Sequence, residues 1–341
     1  MSICEKLLLA LFLFLVIIQL CILIFARNFQ SFENFEDDKM VSNLMYRAKQ
    51  EIENVFDKDF DYNVSSLHKF WEQNQNQSAL VVIKNGKYEI KYNNSELEEI
   101  IVEKFIEFMR VLKSLHPNLP DCTFVQFFGD GQKHNNLPVF QNSVKDSGIL
   151  SPFWFMFSEG KIESVKEHTT PFIINKAVWR GTGTGDPNAI WGSRRYITET
   201  ALDFPKFIDA KFVNHLTHEN IMTPEEQLNY RFIISKDGNG GTYGLYWQLV
   251  SGRCVLLNSC YKQWFTPFFK ENVHYISYND ENSGNQNLKQ IISETPLAKT
   301  NKIGELSKNQ STIVFDKRFV FWYTLQLLNK LSSFQNVIKH N

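Results

Sequence analysis

At 341 residues the chain is long enough to bury a sizeable core and to form two domains, and 43% hydrophobic with 21% charged residues is a folded composition, not a disordered one. A formal net charge of −1 removes the electrostatic argument for a nucleic-acid partner. The cysteines outside the first 26 residues, Cys122, Cys254 and Cys260, contain no Cys-x-x-Cys pair, which permits one disulfide at most and gives no zinc pattern.

The segment Leu7 to Ala26, LLLALFLFLVIIQLCILIFA, is uncharged and has Gln19 as its only strongly polar member. About 20 helical residues at ~1.5 Å each span a hydrocarbon layer of roughly 30 Å, so residues 7–26 are predicted to be a transmembrane anchor behind a short cytoplasmic tail, 1–6. A cleaved signal peptide has a shorter apolar stretch and a small-x-small site, which Ile24-Phe25-Ala26 does not supply. Lys6 faces Arg27 and Lys39 across the segment, so the flanking charges nearly tie. The sequons at Asn63, Asn76, Asn93 and Asn309 fit a luminal body. The expectation is a single-pass type II protein, with its body in the lumen of the ER, Golgi or an equivalent compartment.

Residues 27–60 read as an acidic stem followed by a linker helix from Val41 to Phe56. Two strand-like runs from Ala79 to Ile90 flank Asn85-Gly86, a hairpin signal. Ser95 to Glu98 has the form of a capping box, and Ile101, Phe105, Phe108 and Leu112 recur at helical spacing up to Pro117. The strand Thr123 to Phe128 closes with Gly129-Asp130-Gly131. Further on, Thr223-Pro224-Glu225-Glu226 starts a helix, and Phe232-Ile233-Ile234 is a strand ending in Lys236-Asp237-Gly238. A helix is expected from near Thr242, a strand at Cys254 to Leu257, a helix from Tyr261 to Phe269, a strand at Val273 to Ile276, and a final helix from Arg318 to Ile338. Strands alternating with helices argue for α/β architecture with a parallel sheet. The predicted boundaries are 61–165 for an N-terminal acceptor-side half, 166–316 for a C-terminal half and 317–341 for the last helix.

The chemistry-bearing residues cluster. Gly238, Gly240, Gly241 and Gly244 allow a close backbone approach, and a helix start after them directs N–H groups at an anion. The spacing matches neither G-x-x-x-x-G-K-[ST] nor a clean G-x-G-x-x-G, so an ordinary tight loop is the competing reading. Trp179-Arg180-Gly181-Thr182-Gly183-Thr184-Gly185, with Arg194 and Arg195 downstream, offers cations, hydroxyls and backbone N–H groups for phosphate. Asp130, at a strand end, is either a proton acceptor facing a cleft or a turn aspartate capping its own backbone. The D-x-D of Asp57 to Asp59 precedes no strand and reads as a solvated turn. His215 and His218 lack H-E-x-x-H context, and no G-x-S-x-G supports a hydrolase.

These residues in order resemble glycosyltransferase family 90, the capsule-associated, lipopolysaccharide-core and protein O-glucosyltransferase family. The carriers are Trp179-Arg180-Gly181-x-x-Thr184-Gly185, Asp209-Ala210-Lys211-Phe212, Asp237-Gly238-Asn239, Gly244-Leu245-Tyr246-Trp247, Ser251-Gly252, Trp264-Phe265 and His274-Tyr275. The resemblance implies a GT-B fold, two Rossmann-like halves facing a cleft. It also implies inverting transfer of a sugar, glucose or xylose, from a UDP-sugar to a hydroxyl of a glycan or glycoprotein, with no obligatory metal. Asp130 matches the family's base. Trp154, in Pro152-Phe153-Trp154, matches an aromatic stretch near the sugar, and Asn239 to Gly244, with Thr242 and Tyr243, match the diphosphate loop. Nucleotide-sugar contacts are thereby expected from Trp154, Arg180, Gly181, Thr182, Thr184, Arg194, Arg195, Asp237, Gly238, Asn239, Gly240, Gly241, Thr242, Tyr243, Gly244 and His274. One departure stands out: the O-glucosyltransferase branch has arginine where this chain has Gly244, while the bacterial branch has the Gly-Leu-x-Trp found here. Charge compensation would then fall to Arg180 and to Arg194 or Arg195. The alternative is a non-catalytic, membrane-anchored carbohydrate-binding protein on the same scaffold.

Overall fold

The computed structural model describes Phe35 and residues 38–56, 60–93, 98–129, 136–145, 148–185, 194–278 and 286–340. The predicted anchor 7–26, the D-x-D segment, Ser95 and Asp130 lie outside the described residues, and the helix expected to be capped by Ser95 has Glu98 at its N-cap with no side-chain cap bond. Among the described residues, no helix is long and apolar enough to cross a membrane. The chain divides into two compact units, Met1–Arg47 and Ala48–Asn341. In the first, the Asp38 carboxylate accepts the N–H groups of Met40 at 2.7 Å and Val41 at 3.2 Å, which fixes the start of α1 (Lys39–Val55). That helix matches the linker helix expected over Val41 to Phe56, starting two residues earlier and ending at Val55.

The second unit begins at Ala48, within α1, and holds everything after it. Its next element is α2 (Val64–Gln73), not anticipated from sequence, whose N-cap is the sequon residue Asn63. Next come β1 (Ser78–Lys84) and β2 (Lys87–Lys91), joined as expected through Asn85 and Gly86 at φ 51° and 67°, the left-handed pair that a type I′ turn requires. They are followed by α3 (Glu99–Leu115), β3 (Cys122–Phe127), β4 (Phe140–Gln141), β5 (Ser143–Val144) and β6 (Ile149–Leu150). A 3-10 turn, Pro152–Trp154, then leads into α4 (Phe155–Lys166). The first sheet has the order β2-β1-β3-β4-β6. It is mixed, not a purely Rossmann-like parallel sheet, because a two-residue turn can return the chain only antiparallel; β3, β4 and β6 are parallel.

The second sheet is parallel throughout, in the order β12-β10-β9-β7-β8. Its elements in chain order are β7 (Ile174–Gly181), α5 (Arg194–Asp203), β8 (Ile208–Phe212), α6 (Pro224–Gln227), β9 (Tyr230–Lys236), α7 (Gly244–Val250), β10 (Cys254–Asn258), β11 (Lys262–Gln263) and β12 (Ile276–Ser277). They precede α8 (Gln286–Glu294), α9 (Leu297–Val314) and α10 (Lys317–His340). Ala177, Trp179, Phe232, Ile234 and Leu256 from one sheet face pack against Ile197 and Ala201 of α5 and Leu288 and Ile292 of α8. The box predicted at Thr223 forms, with Glu226 N donating to Thr223 Oγ1 at 3.2 Å and Thr223 N to Glu226 Oε2 at 2.7 Å.

Two expected elements are corrected. Tyr261 to Phe269 is not a helix: Lys262 and Gln263 pair antiparallel with Val144 and Ser143, and only Thr266–Phe268 winds into a 3-10 turn. Pro267 has no N–H to continue a helix, and the pairing partner lies over a hundred residues away, beyond the reach of a local pattern. The last strand is displaced to Ile276–Ser277, because Asn272 turns the chain at φ 58° just before it.

The last helix returns to the first sheet. Gln335 Oε1 accepts Thr123 N at 2.8 Å and its Nε2 donates to Thr123 O at 2.7 Å, so one side chain imitates a neighbouring strand. Helix α9 meets the turn after α7 through Gly304, where a Cβ would overlap the carbonyl oxygen of Gly252. Gly304→Ala is therefore expected to destabilise the protein by about 1–3 kcal/mol, the usual cost of overpacking, although alanine is the better helix former. A lowered urea midpoint checks this; an unchanged or raised midpoint refutes the close approach.

Candidate active site

Across the second sheet the parallel strands run β8-β7-β9-β10-β12, the order 2-1-3-4-5 of a doubly wound sheet. Such a sheet reverses direction between its first and third strands, here β7 and β9. The loops leaving their carboxyl ends diverge and open a crevice where ligands bind in this architecture. The Gly181 to Gly185 loop leaves β7 there, and the Asp237 to Tyr243 loop leaves β9 beside it.

Arg194, the first residue of α5, ties the two loops together. Its Nε donates to Asp237 O at 3.1 Å, while Nη1 donates to Thr182 O at 3.2 Å, Thr182 Oγ1 at 3.3 Å and Thr184 Oγ1 at 2.7 Å. Gly238 lies directly against this cation: a Cβ there would stand 2.9 Å from Arg194 Nη2 and from Thr184 Oγ1. Glycine is required for that approach. A further bond, Gly185 N to Asn239 Oδ1 at 3.0 Å, joins the same loops. Thr182, Thr184, Arg194, Asp237, Gly238 and Asn239 are thus brought together.

Other predicted residues are placed differently. Arg180 is buried and committed to β8, its Nη1 donating to Asp209 O at 2.8 Å and its Nη2 to Asp209 Oδ1 at 2.9 Å, with Tyr230 OH on the other carboxylate oxygen. Gly181 is tight against Trp179, whose ring a Cβ would approach to 2.6 Å. Arg195 is 79% exposed and pairs with Glu199 along its own helix at 2.7 Å. His274 fastens a turn, its Nδ1 accepting Lys270 N at 2.8 Å.

The glycine loop is largely self-bonded. Gly238 N donates to Gly240 O at 3.1 Å, Gly241 N to Ser143 Oγ at 3.1 Å and Gly244 N to Thr242 Oγ1 at 3.3 Å, so three N–H groups of the expected anion cradle are already used. The helix after it begins at Gly244, not Thr242, and has only seven residues.

Asp237 acts as a latch. Burial pushes its carboxyl above the usual carboxylate range, opposed by donation from Ser259 Oγ at 2.9 Å and Cys260 N at 2.8 Å. This latch holds the loop after β10, which sequence reading did not single out. Beside it lies a cavity of about 410 Å³ lined by Asn258, Ser259, Tyr261, Tyr275 and Tyr278, with Leu245 and Leu257 among its apolar members. Tyr261 OH reaches Asn239 O at 2.7 Å, linking cavity to crevice. The signal for it was present, since an apolar run ending in Asn258-Ser259 is the carboxyl end of a parallel strand.

The first sheet meets the same loops through the carboxyl ends of its parallel strands. After β4 comes Ser143, bonded to Gly241 N, and after β6 comes Trp154, stacked on Tyr243 at 4.6 Å between ring centroids with 20° between planes. Their parallel neighbour β3 ends at Phe127, three positions before Asp130.

No protein-family model matches the chain. A viral relative, uncharacterized protein 179R of Invertebrate iridescent virus 6, is 29% identical over 94 residues, which is 24% of this chain and 8% of that protein. Two solved structures of Alr3699/HepE from Anabaena align with a TM-score of 0.33. The one in complex with UDP and glucose is 15% identical and covers 47% of this chain and 49% of that one. The other, in complex with UDP-glucose, is 14% identical and covers 54% and 53%. The chain thus spans about half the length of these solved structures and a small fraction of the viral protein, and likeness of this extent assigns no function.

Proposed function

We propose that the protein is a membrane-anchored, inverting glycosyltransferase of GT-B arrangement within family 90. It transfers a sugar, glucose or xylose, from a UDP-sugar to a hydroxyl of a glycan or glycoprotein. The observation that carries this reading is the crevice at the β7/β9 reversal, bridged by Arg194 and linked through Asn239 and Tyr261 to the cavity beyond β10 and β12. A diphosphate at Arg194 would place a nucleoside in that cavity, against its tyrosines and Asn258. Residues 7–26 hold the body at the membrane, on the luminal side.

In the reaction Asp130 takes the proton of the acceptor hydroxyl as that oxygen bonds to the anomeric carbon. The bond from that carbon to the β-phosphate oxygen breaks, the configuration inverts, and Arg194 stabilises the charge that develops on departing UDP. Detergent-solubilised full-length protein should hydrolyse or transfer from at least one UDP-sugar in a donor screen; no UDP binding by calorimetry and no turnover would remove the proposal. EDTA is expected to leave turnover unchanged, whereas a D-x-D enzyme would lose it on chelation and on Asp59→Ala.

One feature favours the second reading, a carbohydrate-binding protein without catalysis. Arg180 is engaged by Asp209, and three N–H groups of the glycine loop are occupied. Such a protein would bind glycan equally well with and without UDP.

A further inference from the structure

We infer that the crevice is chemically divided: its Arg194 end takes the anion, and the face formed by Gln248, Gln263 and Trp154 takes hydroxyl groups of the sugar ring. This rests on the nucleotide-sugar reading above.

The observation is a set of buried polar atoms. Gln248 Oε1, Gln263 Oε1 and Trp154 Nε1 have no hydrogen-bond partner among the described residues, and all three residues are over nine-tenths buried. Buried amide oxygens are rarely left unbonded in a native protein.

They also share one place. A Cβ on Gly241 would meet Gln263 Nε2 at 3.0 Å, Thr242 O accepts Gln263 Nε2 at 3.3 Å, Tyr243 stacks on Trp154, and a Cβ on Gly244 would meet Gln248 Nε2 at 3.2 Å. The bond to Thr242 O fixes the Gln263 amide, so its oxygen is the end left over.

The chemistry selects the ligand. Amide oxygens only accept, and phosphate oxygens at neutral pH also only accept, so a diphosphate gains nothing here. Sugar hydroxyls both donate and accept, so a ring can donate to the two amide oxygens and accept from the indole N–H. The acceptor atoms are enclosed, so a ring reaches them when the glycine loop lifts from β5, a movement that breaks the bond from Gly241 N to Ser143 Oγ.

The test is calorimetry on the full-length protein in detergent with UDP, UDP-glucose, UDP-xylose and UDP-2-deoxyglucose. At least one UDP-sugar is expected to bind about tenfold or more tightly than UDP, with the 2-deoxy analogue weakened relative to UDP-glucose. Gln263→Leu and Gln248→Leu should each bring the UDP-sugar close to the affinity of UDP while UDP itself stays within about twofold. Parallel weakening of UDP and UDP-sugar, or no change in either, overturns the division, as does a native protein that binds every UDP-sugar no better than UDP. Absence of UDP binding in the native protein removes the nucleotide-sugar reading instead. The analogue series uses the unaltered chain, so it decides the matter even if a variant does not fold.

Discussion

Replacing Arg194 with alanine is expected to weaken UDP binding by about a hundredfold, whereas Arg195→Ala stays within about twofold of the native protein. A hundredfold is about 2.8 kcal/mol, within the range for a buried hydrogen bond to a charged group. Two losses contribute. The cation proposed to meet the diphosphate goes, and with it the bonds from Nε and Nη1 that hold Asp237, Thr182 and Thr184 in place. Arg194→Lys separates them, since lysine keeps the charge but cannot span three partners from one planar group; a loss of about tenfold is expected. Arg195 supplies the internal control, being one residue away with the same charge and paired with Glu199 in solvent. Calorimetry with UDP reads all three variants. Equal losses at Arg194 and Arg195 would mean that bulk charge, not the crevice, attracts the nucleotide.

That pair also marks what the sequence can and cannot reveal. Arg194 and Arg195 are equivalent candidates in a string of letters, but neighbouring residues on a helix point about 100° apart, so only one can face the crevice. Which one is decided by how α5 packs on the sheet through Ile197 and Ala201. The Asn85-Gly86 hairpin was legible because two left-handed residues leave few other options. The all-parallel second sheet was legible from its alternation of strands and helices. Its strand order was not, and the order is what creates the site. Neither the β5 to β11 pairing nor the Gln335 bond to Thr123 has a local signature, since each joins residues far apart in the chain. Arg180 looked like a phosphate ligand because arginine beside glycines suits one. Its guanidinium instead satisfies Asp209 on the neighbouring strand, a pairing set by β7 lying beside β8.

Asp130→Asn should lower transfer by about 10²- to 10⁴-fold, the range for a lost general base, while UDP affinity stays within about twofold. The argument begins with strand direction. β3, β4 and β6 are parallel, and the segments leaving β4 and β6 deliver Ser143 and Trp154 to the glycine loop of the second sheet. The chain leaving β3 departs from the same edge, and Asp130 follows its last residue by three positions. The turn at Gly129 is closed, since a Cβ there would press on the Phe127 ring at 2.6 Å and on Gln77 Oε1 at 2.7 Å. Asparagine keeps the size of aspartate but cannot take a proton, so binding and catalysis separate only if the carboxylate does chemistry. Transfer to acceptor and UDP calorimetry must both be measured on the variant. Retained transfer would remove Asp130 as the base and move the search to the described carboxylates of the crevice. Joint loss of binding and transfer would show that the turn shapes the nucleotide site and not the reaction.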